Sequence, residues 1–212
     1  MIMVIYALIT IAIFGMWYYA RYEGNFLPSP KKTFNPMMLV AIVILVPGTQ
    51  LLQFHSNLTG YIRPDWLQQY NELFETSGIT DTTCDRPYSV ILAPICEELI
   101  FRGRDHARAR KALPFALANL IQAALFGLFH LNWIQGIYAF ALGIVLGYVC
   151  ERGGSIYYSI GLHLLFNLWG TLSGFFPDPG NSVVIFVIVI AVTIVSLVVG
   201  FVLFNKGEES SP

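Results

Sequence analysis

Two adjacent carboxylates lie inside an apolar stretch of the sequence, in the segment PICEELIFR at residues 94–102. Ionisable side chains are costly inside a membrane helix, so each one there is a candidate for function. Glu98 and Arg102 are four residues apart, so on a helix they share a face and can form an ion pair. Glu97 points about 100° away from Glu98. The pattern therefore predicts one carboxylate held by an arginine and a second that is free for chemistry.

Two further segments place a histidine in an apolar stretch. Phe126 and His130 lie one helical turn apart in LFGLFH, and His163 and Asn167 lie one turn apart in GLHLLFN. A single membrane histidine, or a buried glutamate–arginine pair, often serves packing alone. Two histidines, two acids and an asparagine on three helices can together supply a base, a proton shuttle and an oxyanion donor. These are the groups that peptide hydrolysis requires.

The other two histidines fall in polar surroundings. His55 lies in the longest polar stretch, and His106 lies among basic residues that follow the third apolar run. We expect both to be solvated, because neither lies within a predicted membrane helix.

The apolar runs that must position these residues predict an all-α membrane protein. Of the 212 residues, 56% are hydrophobic and 12% are charged, whereas a soluble domain has about 25% charged residues. A helix needs about 20 apolar residues to cross the hydrocarbon. We predict a polytopic transmembrane helix bundle of about seven spans, with the catalytic residues on three core helices. The predicted spans are 2–20, 36–54, 87–102, 113–131, 133–150, 156–174 and 182–204.

Charge predicts the orientation of these spans. Ten of the 12 Lys and Arg residues follow the odd-numbered spans, so the positive-inside rule places the N-terminus outside and the C-terminus inside. The net charge of −1 gives no indication of nucleic-acid binding, and we expect none. Three cysteines at unrelated spacings form no disulfide framework. The aliphatic composition and small size favour a bacterial plasma membrane.

The polar stretch 55–86 contains one candidate helix, PDWLQQYNELFETSG. Its apolar residues fall on one helical stripe. A short packing helix and a helix lying in the membrane interface both fit this pattern. The stripe consists of Trp66, Leu67, Tyr70, Leu73 and Phe74.

In this order the three segments resemble the signature motifs of the CPBP family, the CAAX proteases and bacteriocin-processing enzymes, also called the Abi family. The motifs are EExxxR, FxxxH and HxxxN, and the matching residues are Glu97, Glu98, Arg102, Phe126, His130, His163 and Asn167. The resemblance covers about 87–175 and implies an α-helical intramembrane endopeptidase. It divides the chain into two N-terminal helices and an outer loop (1–86), a catalytic core (87–175), and a C-terminal helix and tail (176–212).

The resemblance also implies a role for each matching residue. Glu97 would activate the attacking water with help from His130, and His163 and Asn167 would stabilise the oxyanion. The Glu98–Arg102 pair would position the site. The partners would be the lipid bilayer and a peptide or protein substrate in or near the membrane. No feature of the sequence indicates a prenyl-binding groove, so a CAAX substrate is an analogy only.

A divalent metal is an alternative to metal-free catalysis. Glu97, His130 and His163 could bind zinc or another divalent ion with one position left for water. The sequence has no HExxH segment, and asparagine is a poor zinc ligand beside Cys, His and carboxylate. We favour a metal-free, glutamate-dependent mechanism with no cofactor.

Two other functions use the same residues. One is a non-enzymatic membrane protein of the same fold, such as a bacteriocin self-immunity factor or a scaffold. A scaffold would be free to lose the catalytic-type residues, and here all are present. The other is a proton-coupled carrier, but the sequence has no inverted repeat and no paired broken helices.

The predicted span boundaries place the three catalytic side chains at different depths in the membrane. At about 1.5 Å per residue, Glu97 and His163 lie about 8 and 10 Å from the inner ends of their spans, whereas His130 lies about 25 Å along its own. The three side chains meet only if the span before His130 starts deeper, tilts or is short. The connection LNWIQG after His130 would suit a broken or re-entrant turn.

Overall fold

The structure, a computed structural model, describes residues 2–21, 35–76, 87–173 and 183–210. These residues form helices and short turns, which confirms the predicted all-α class. In chain order, the helices of the described ranges are α1 (Ile2–Arg21), α2 (Pro36–Ile62), α3 (Pro64–Thr76), α4 (88–110), α5 (Phe115–Phe129), α6 (Trp133–Gly153), α7 (Ile156–Ser173) and α8 (Val183–Glu209).

Each predicted span overlaps one of these helices. Within the described ranges, Trp133–Gly153 and Val187–Glu209 are both long and apolar enough to cross a membrane, and Val4–Ala20, Pro36–Gln50 and Phe115–Phe129 are apolar but shorter. The count of seven spans therefore stays a prediction.

Two predicted helix ends were wrong. Helix α2 continues through His55 to Ile62 and stops where Pro64 keeps the preceding residue out of the helical region. His55 thus lies on a helix and not in a loop, although its side chain is outside the described part of the chain. Helix α4 continues past Arg102 to Arg110, because alanine and arginine are good helix formers. A change in polarity does not end a helix.

Helix α4 is irregular where it carries the two carboxylates. Wider π-helical segments, Tyr88–Leu92 and Leu99–His106, flank the α-helical segment Ala93–Glu98. In the first π segment the Ala93 N–H donates to the carbonyl of Tyr88, five residues earlier. The next donor in this register would be Pro94, which has no N–H. Such π turns inside helices are frequent at functional sites.

The core lies around α6, which packs against α2, α5 and α7. Glycines bring α5 and α6 close together, as small residues do between membrane helices. A Cβ at Gly127 would lie 2.7 Å from the Gly136 carbonyl, and a Cβ at Gly143 would lie 3.0 Å from the Ala123 Cα. Helix α8 packs on α2, and its remaining surface is exposed and aliphatic, as predicted for a lipid-facing helix. The exposed residues include Val184, Val187, Ile188, Val192 and Val195.

The turn between α5 and α6 is short. His130 caps the C-terminus of α5, Leu131 has a left-handed backbone with φ of 54°, and the Asn132 side chain accepts from the Gln135 N–H at 3.1 Å. A left-handed conformation costs an apolar residue about 1–2 kcal/mol, and it lets α6 begin two residues after the turn starts. Helix α5 is 15 residues long, so His130 lies about 22 Å from its start.

Candidate active site

Four of the six predicted site residues line one cavity of about 480 Å³. They are Glu97 from α4, His130 after α5, and His163 and Asn167 from α7. The other lining residues come from α3 to α7: Tyr70, Tyr88, Ser89, Ala93, Phe126, Gln135, Tyr138, Ala139, Leu142, Phe166, Gly170 and Thr171. The remaining two predicted residues, Glu98 and Arg102, are fully buried beside the cavity.

The predicted Glu98–Arg102 pair forms, and it is completely removed from solvent. Arg102 Nη1 donates to Glu98 Oε1 at 2.9 Å, and the side chains of both residues are 0% exposed. Arg102 Nη2 donates to the Gly143 carbonyl on α6 at 3.3 Å. The guanidinium lies over the Phe126 ring, 4.5 Å from its centroid. A buried ion pair needs such added contacts, because Coulomb attraction alone does not repay desolvation.

His163 connects the buried pair to the cavity. Its Nδ1 lies 2.9 Å from Glu98 Oε1, and its Nε2 lies 3.6 Å from Glu97 Oε2. The Glu97 side chain is 18% exposed, in contrast to its buried neighbour. An ionised carboxylate can only accept, so Glu98 holds His163 with the hydrogen on Nδ1. The Nε2 atom is then the one that faces Glu97.

His130 is held by its own helix. Its Nδ1 lies 2.8 Å from the Phe126 carbonyl oxygen, which can only accept, so Nδ1 carries the hydrogen and neutral His130 has its lone pair on Nε2. The Phe126 ring is 1% exposed and meets both histidines edge to face, with centroids 4.9 Å from His130 and 5.7 Å from His163. The FxxxH spacing thus sets both the orientation of His130 and the separation of the two imidazoles.

Asn167 lines the cavity and also contacts α4. Its Nδ2 donates to the Ser89 carbonyl at 2.8 Å. In the π register that carbonyl faces the Pro94 nitrogen, which cannot donate, so Asn167 supplies a hydrogen that the proline lacks. The amide has two hydrogens, and the bond to Ser89 uses one of them.

A contact near the C-terminal end of α4 explains how Glu97, His130 and His163 come to lie at a similar depth in the helix bundle. His106 Nε2 lies 2.9 Å from Glu151 Oε2 on α6, so the end of α6 is level with His106 and not with Arg102. Glu97 is nine residues, or about 13 Å, above His106, and His163 is about 10 Å from the start of α7. Because α4 continues to Arg110, Glu97 lies about 20 Å from the end of α4, close to the distance of about 22 Å that separates His130 from the start of α5. The longer α4 therefore removes most of the predicted mismatch.

The prediction of a solvated His106 was wrong. Its side chain is only 1% exposed, and Glu151 also accepts from Arg110 Nε at 2.9 Å. The ring meets Phe115 edge to face at 5.9 Å. The sequence around His106 is polar because α4 turns one basic face outward. The partner Glu151 lies 45 residues away, too far for spacing to indicate it.

Helix α3 closes the rim of the cavity with Tyr70. Trp66 stacks on Trp133 with centroids 5.5 Å apart, and the Arg63 guanidinium lies 4.7 Å from the Trp66 ring centroid. Arg63 also donates to Asp65 at 2.7 Å, and this hydrogen bond lowers the pKa of the exposed Asp65 carboxyl. These contacts favour the packing-helix interpretation of α3 over a helix free on the membrane surface.

Sequence analysis missed two buried amides, Asn119 and Gln122, on the apolar helix α5. Both lie next to α6 at its segment GIVLG. Two signals could have found them: polar amides inside an apolar helix, and the GxxxG spacing of Gly143 and Gly147 that marks close helix packing.

The residues do not form a metal site in their present positions. Among the described residues, no three His, Cys, Asp or Glu side chains come together as a set that could hold a metal ion. The Nδ1 atoms of His130 and His163 are engaged by the Phe126 carbonyl and by Glu98, which leaves the Nε2 atoms as the ring nitrogens that could bind an ion.

Comparison with known proteins agrees with the motifs. Residues 83–169 match the family model of Type II CAAX prenyl endopeptidase Rce1-like proteins. The matched segment contains all six predicted site residues. No curated protein and no solved structure matched the chain. The helical fold, the apolar helices and the match together support a CAAX-protease-type membrane protein. The match supports the assignment to the CPBP family of CAAX proteases that the motifs predicted.

Proposed function

We propose that this protein is an intramembrane endopeptidase of the CAAX-protease/Abi type, which hydrolyses a peptide bond of a membrane-associated substrate with a glutamate-activated water. One observation carries the proposal. Side chains of Glu97, His130, His163 and Asn167, from separate segments of the chain, line the same cavity. A base, a proton acceptor and hydrogen-bond donors around one space are what acyl transfer to water requires.

In the proposed reaction Glu97 is the general base. A water between Glu97 and His130 attacks the peptide carbonyl carbon and gives its proton to the carboxylate. The Nε2 lone pair of neutral His130 accepts the second hydrogen of that water as a hydrogen bond and so orients the attack. The C–N bond then breaks, and the proton on Glu97 passes to the leaving amine.

His163 and Asn167 would stabilise the oxyanion. Asn167 has one N–H left after its bond to Ser89. Since Glu98 fixes the hydrogen on Nδ1 of His163, the Nε2 atom donates to an oxyanion only in the doubly protonated ring. The buried Glu98–Arg102 pair holds that ring in place. Removal of one such donor typically costs about 10²–10³ in rate.

The wider proposal completes the sequence predictions. The chain crosses a bacterial plasma membrane about seven times, with the N-terminus outside and the C-terminus inside. Its partners are lipid and a peptide or protein substrate, with no nucleic acid and no metal or other cofactor. The alternative is a non-enzymatic protein of the same fold, acting in bacteriocin self-immunity or as a scaffold. That alternative would be favoured if the protein binds a peptide in the cavity and does not cleave it.

The test is cleavage of a library of membrane-anchored reporter peptides by purified protein in proteoliposomes. Glu97→Gln keeps the size of the side chain and removes the base, so turnover should disappear. The matched control is Glu208→Gln, at a glutamate that pairs with Arg152 at the far end of α6, and it should cleave normally. Turnover by Glu97→Gln at the wild-type rate would refute the assignment of the base. Elemental analysis of the active wild type should find no stoichiometric zinc, and one zinc per chain, lost on His163→Ala, would replace the metal-free mechanism.

A further inference from the structure

The two amides on α5 form a hydrogen-bonded pair in the interior, outside the catalytic cavity. Gln122 is 0% exposed and Asn119 is 5% exposed. Gln122 Nε2 donates to Asn119 Oδ1 at 2.6 Å and to the Gly143 carbonyl at 2.8 Å. Asn119 Nδ2 donates to the Ile144 carbonyl at 3.0 Å. Both of these acceptors are oxygens, so the amide nitrogen of Gln122, and not its amide oxygen, must face them.

The Gly143 carbonyl is shared between this pair and the catalytic site. It accepts from Gln122 at 2.8 Å and from Arg102 Nη2 at 3.3 Å. Arg102 is the residue that holds Glu98, and Glu98 holds His163. One continuous hydrogen-bonded chain therefore runs from Gln122 to the imidazole in the cavity.

We propose that Gln122 is a positioning residue for His163, acting through the Gly143 carbonyl, Arg102 and Glu98. Gln122 occupies that carbonyl with the shorter bond and leaves Arg102 the longer one, so the guanidinium stays directed at Glu98. Without Gln122, the carbonyl is open to Arg102, and the guanidinium moves toward α6. The Glu98 carboxylate then loses part of its partner, and the Glu98–His163 bond changes with it.

The surroundings of Gln122 indicate more than packing. A Cβ at Gly147 would lie 1.9 Å from Asn119 Oδ1 and 2.6 Å from Gln122 Nε2, so α6 must have glycine there to admit the two amides. Glycine within a helix costs about 1 kcal/mol relative to alanine, and buried amides are costly unless bonded. An alanine opposite two apolar side chains would fill the same space without either cost.

The test of this proposal uses Gln122→Met in the full-length protein. Only its kinetic part rests on the proposed peptidase function. Methionine keeps the length and removes the donors. With a reporter peptide that the wild type cleaves, kcat should fall about tenfold with KM unchanged, since misplacement by 1 Å can cost about 10²-fold and Gln122 does not line the cavity. Thr193→Val is the control, because it removes a buried hydroxyl that donates to the Val189 and Ile190 carbonyls of its own helix, and it should change neither constant.

The second measurement does not depend on activity. In ¹⁵N NMR of ring-labelled histidine, the Nδ1 resonance of His163 should shift in Gln122→Met. That of His106 should not, although His106 is also buried and pairs with a glutamate at 2.9 Å. If Gln122→Met does not fold, Asn119→Leu removes the acceptor that orients Gln122 and should give the same selective shift. An unchanged His163 signal, or an equal shift of both histidines, overturns the proposal. If the wild type cleaves no reporter peptide, the peptidase function is refuted. The NMR result alone then decides whether Gln122 positions His163.

Discussion

Glu97 and Glu98 are neighbours in the chain, yet their surroundings differ completely. Glu98 is bonded by an arginine and lies beside a histidine nitrogen, with no exposed surface. Glu97 has 18% of its side chain exposed and lies along the cavity. The same chemical group is thus fixed at one position and available at the next. Consecutive side chains on a helix point about 100° apart, so Glu98 meets Arg102 and His163 while Glu97 lines the cavity.

At the residue scale we predict that Glu98→Ala lowers stability as well as activity. The change leaves the Arg102 charge buried without a carboxylate, which typically costs about 3–5 kcal/mol. Thermal unfolding in detergent should show a clear fall in Tm. Glu208→Ala, which breaks the exposed pair with Arg152, should leave Tm nearly unchanged. Equal Tm values for the two variants would mean that the buried pair is not a structural anchor.

Sequence spacing predicted the contacts of residues within one helix and missed those between helices. Glu98 and Arg102 are four apart, so their pairing could be derived. Gln122 meets Gly143 across 21 residues, and nothing local encodes that approach. His106 was misjudged for the same reason. The local polarity of a segment describes its average exposure, whereas a single side chain can turn to a partner on another helix.

At the element scale, Pro94 and Asn167 act as one unit. The proline removes a donor from the π segment of α4, and the asparagine on α7 supplies one to the Ser89 carbonyl. Helix α4 is thereby tied to α7 at the level of the cavity. Asn167 therefore has a structural task in addition to the oxyanion role proposed for it.

We predict that Pro94→Ala and Asn167→Ala are coupled in stability. In the Pro94→Ala background residue 94 has an N–H, so loss of the Asn167 amide should cost less than in the wild type. A coupling of about 0.5–1.5 kcal/mol is expected, the value of one hydrogen bond. Denaturant unfolding of the wild type, both single variants and the double variant measures it.

The control for this cycle pairs Pro94→Ala with Thr193→Val on α8, where additive effects are expected. Additive effects of Pro94→Ala and Asn167→Ala would show that the two residues do not share the Ser89 carbonyl. The loss of turnover in Asn167→Ala, about 10²–10³-fold, should be the same in either background, because the oxyanion donor is lost in both.

The sequence predicted the helices better than their ends. The apolar runs located α5 and α6 to within two or three residues, because Pro114 and the tight turn at His130 end the runs and the helices together. The apolar runs are shorter than helices α2 and α4, because polar residues continue both helices beyond the runs. The π segments could not be foreseen, since residues of ordinary helix propensity form them under the constraint of Pro94 and of the contacts to α7.

At the scale of the whole molecule, ion pairs connect the ends of several helices. Arg110 of α4 bonds Glu151 of α6 at 2.9 Å, and Arg152 of α6 lies 3.2 Å from Glu208 of α8. These contacts bring the C-terminal ends of α4, α6 and α8 together, so their basic residues gather at one end of the molecule. The Trp66–Trp133 stack lies at the other end of α6.

This arrangement predicts that the C-terminus is inside. Basic residues near helix ends are retained on the cytoplasmic side. A green fluorescent reporter fused after Pro212 should therefore fluoresce, and alkaline phosphatase fused there should be inactive. Phosphatase inserted after Thr76, at the opposite end, should be active and provides the control. An active phosphatase at the C-terminus would contradict the predicted orientation and place the C-terminus outside.

The glycine at position 147 also limits how related chains can vary. No Cβ fits there while Asn119 and Gln122 keep their places, so the three positions cannot change independently. A relative with alanine or a larger residue at the position of Gly147 should have small or apolar residues in place of both amides, and a relative with both amides should have glycine. Aligned sequences that break this rule freely would show that α5 and α6 can separate without harm. Sequences that keep it would let the buried amide pair be recognised in chains for which only the sequence is known.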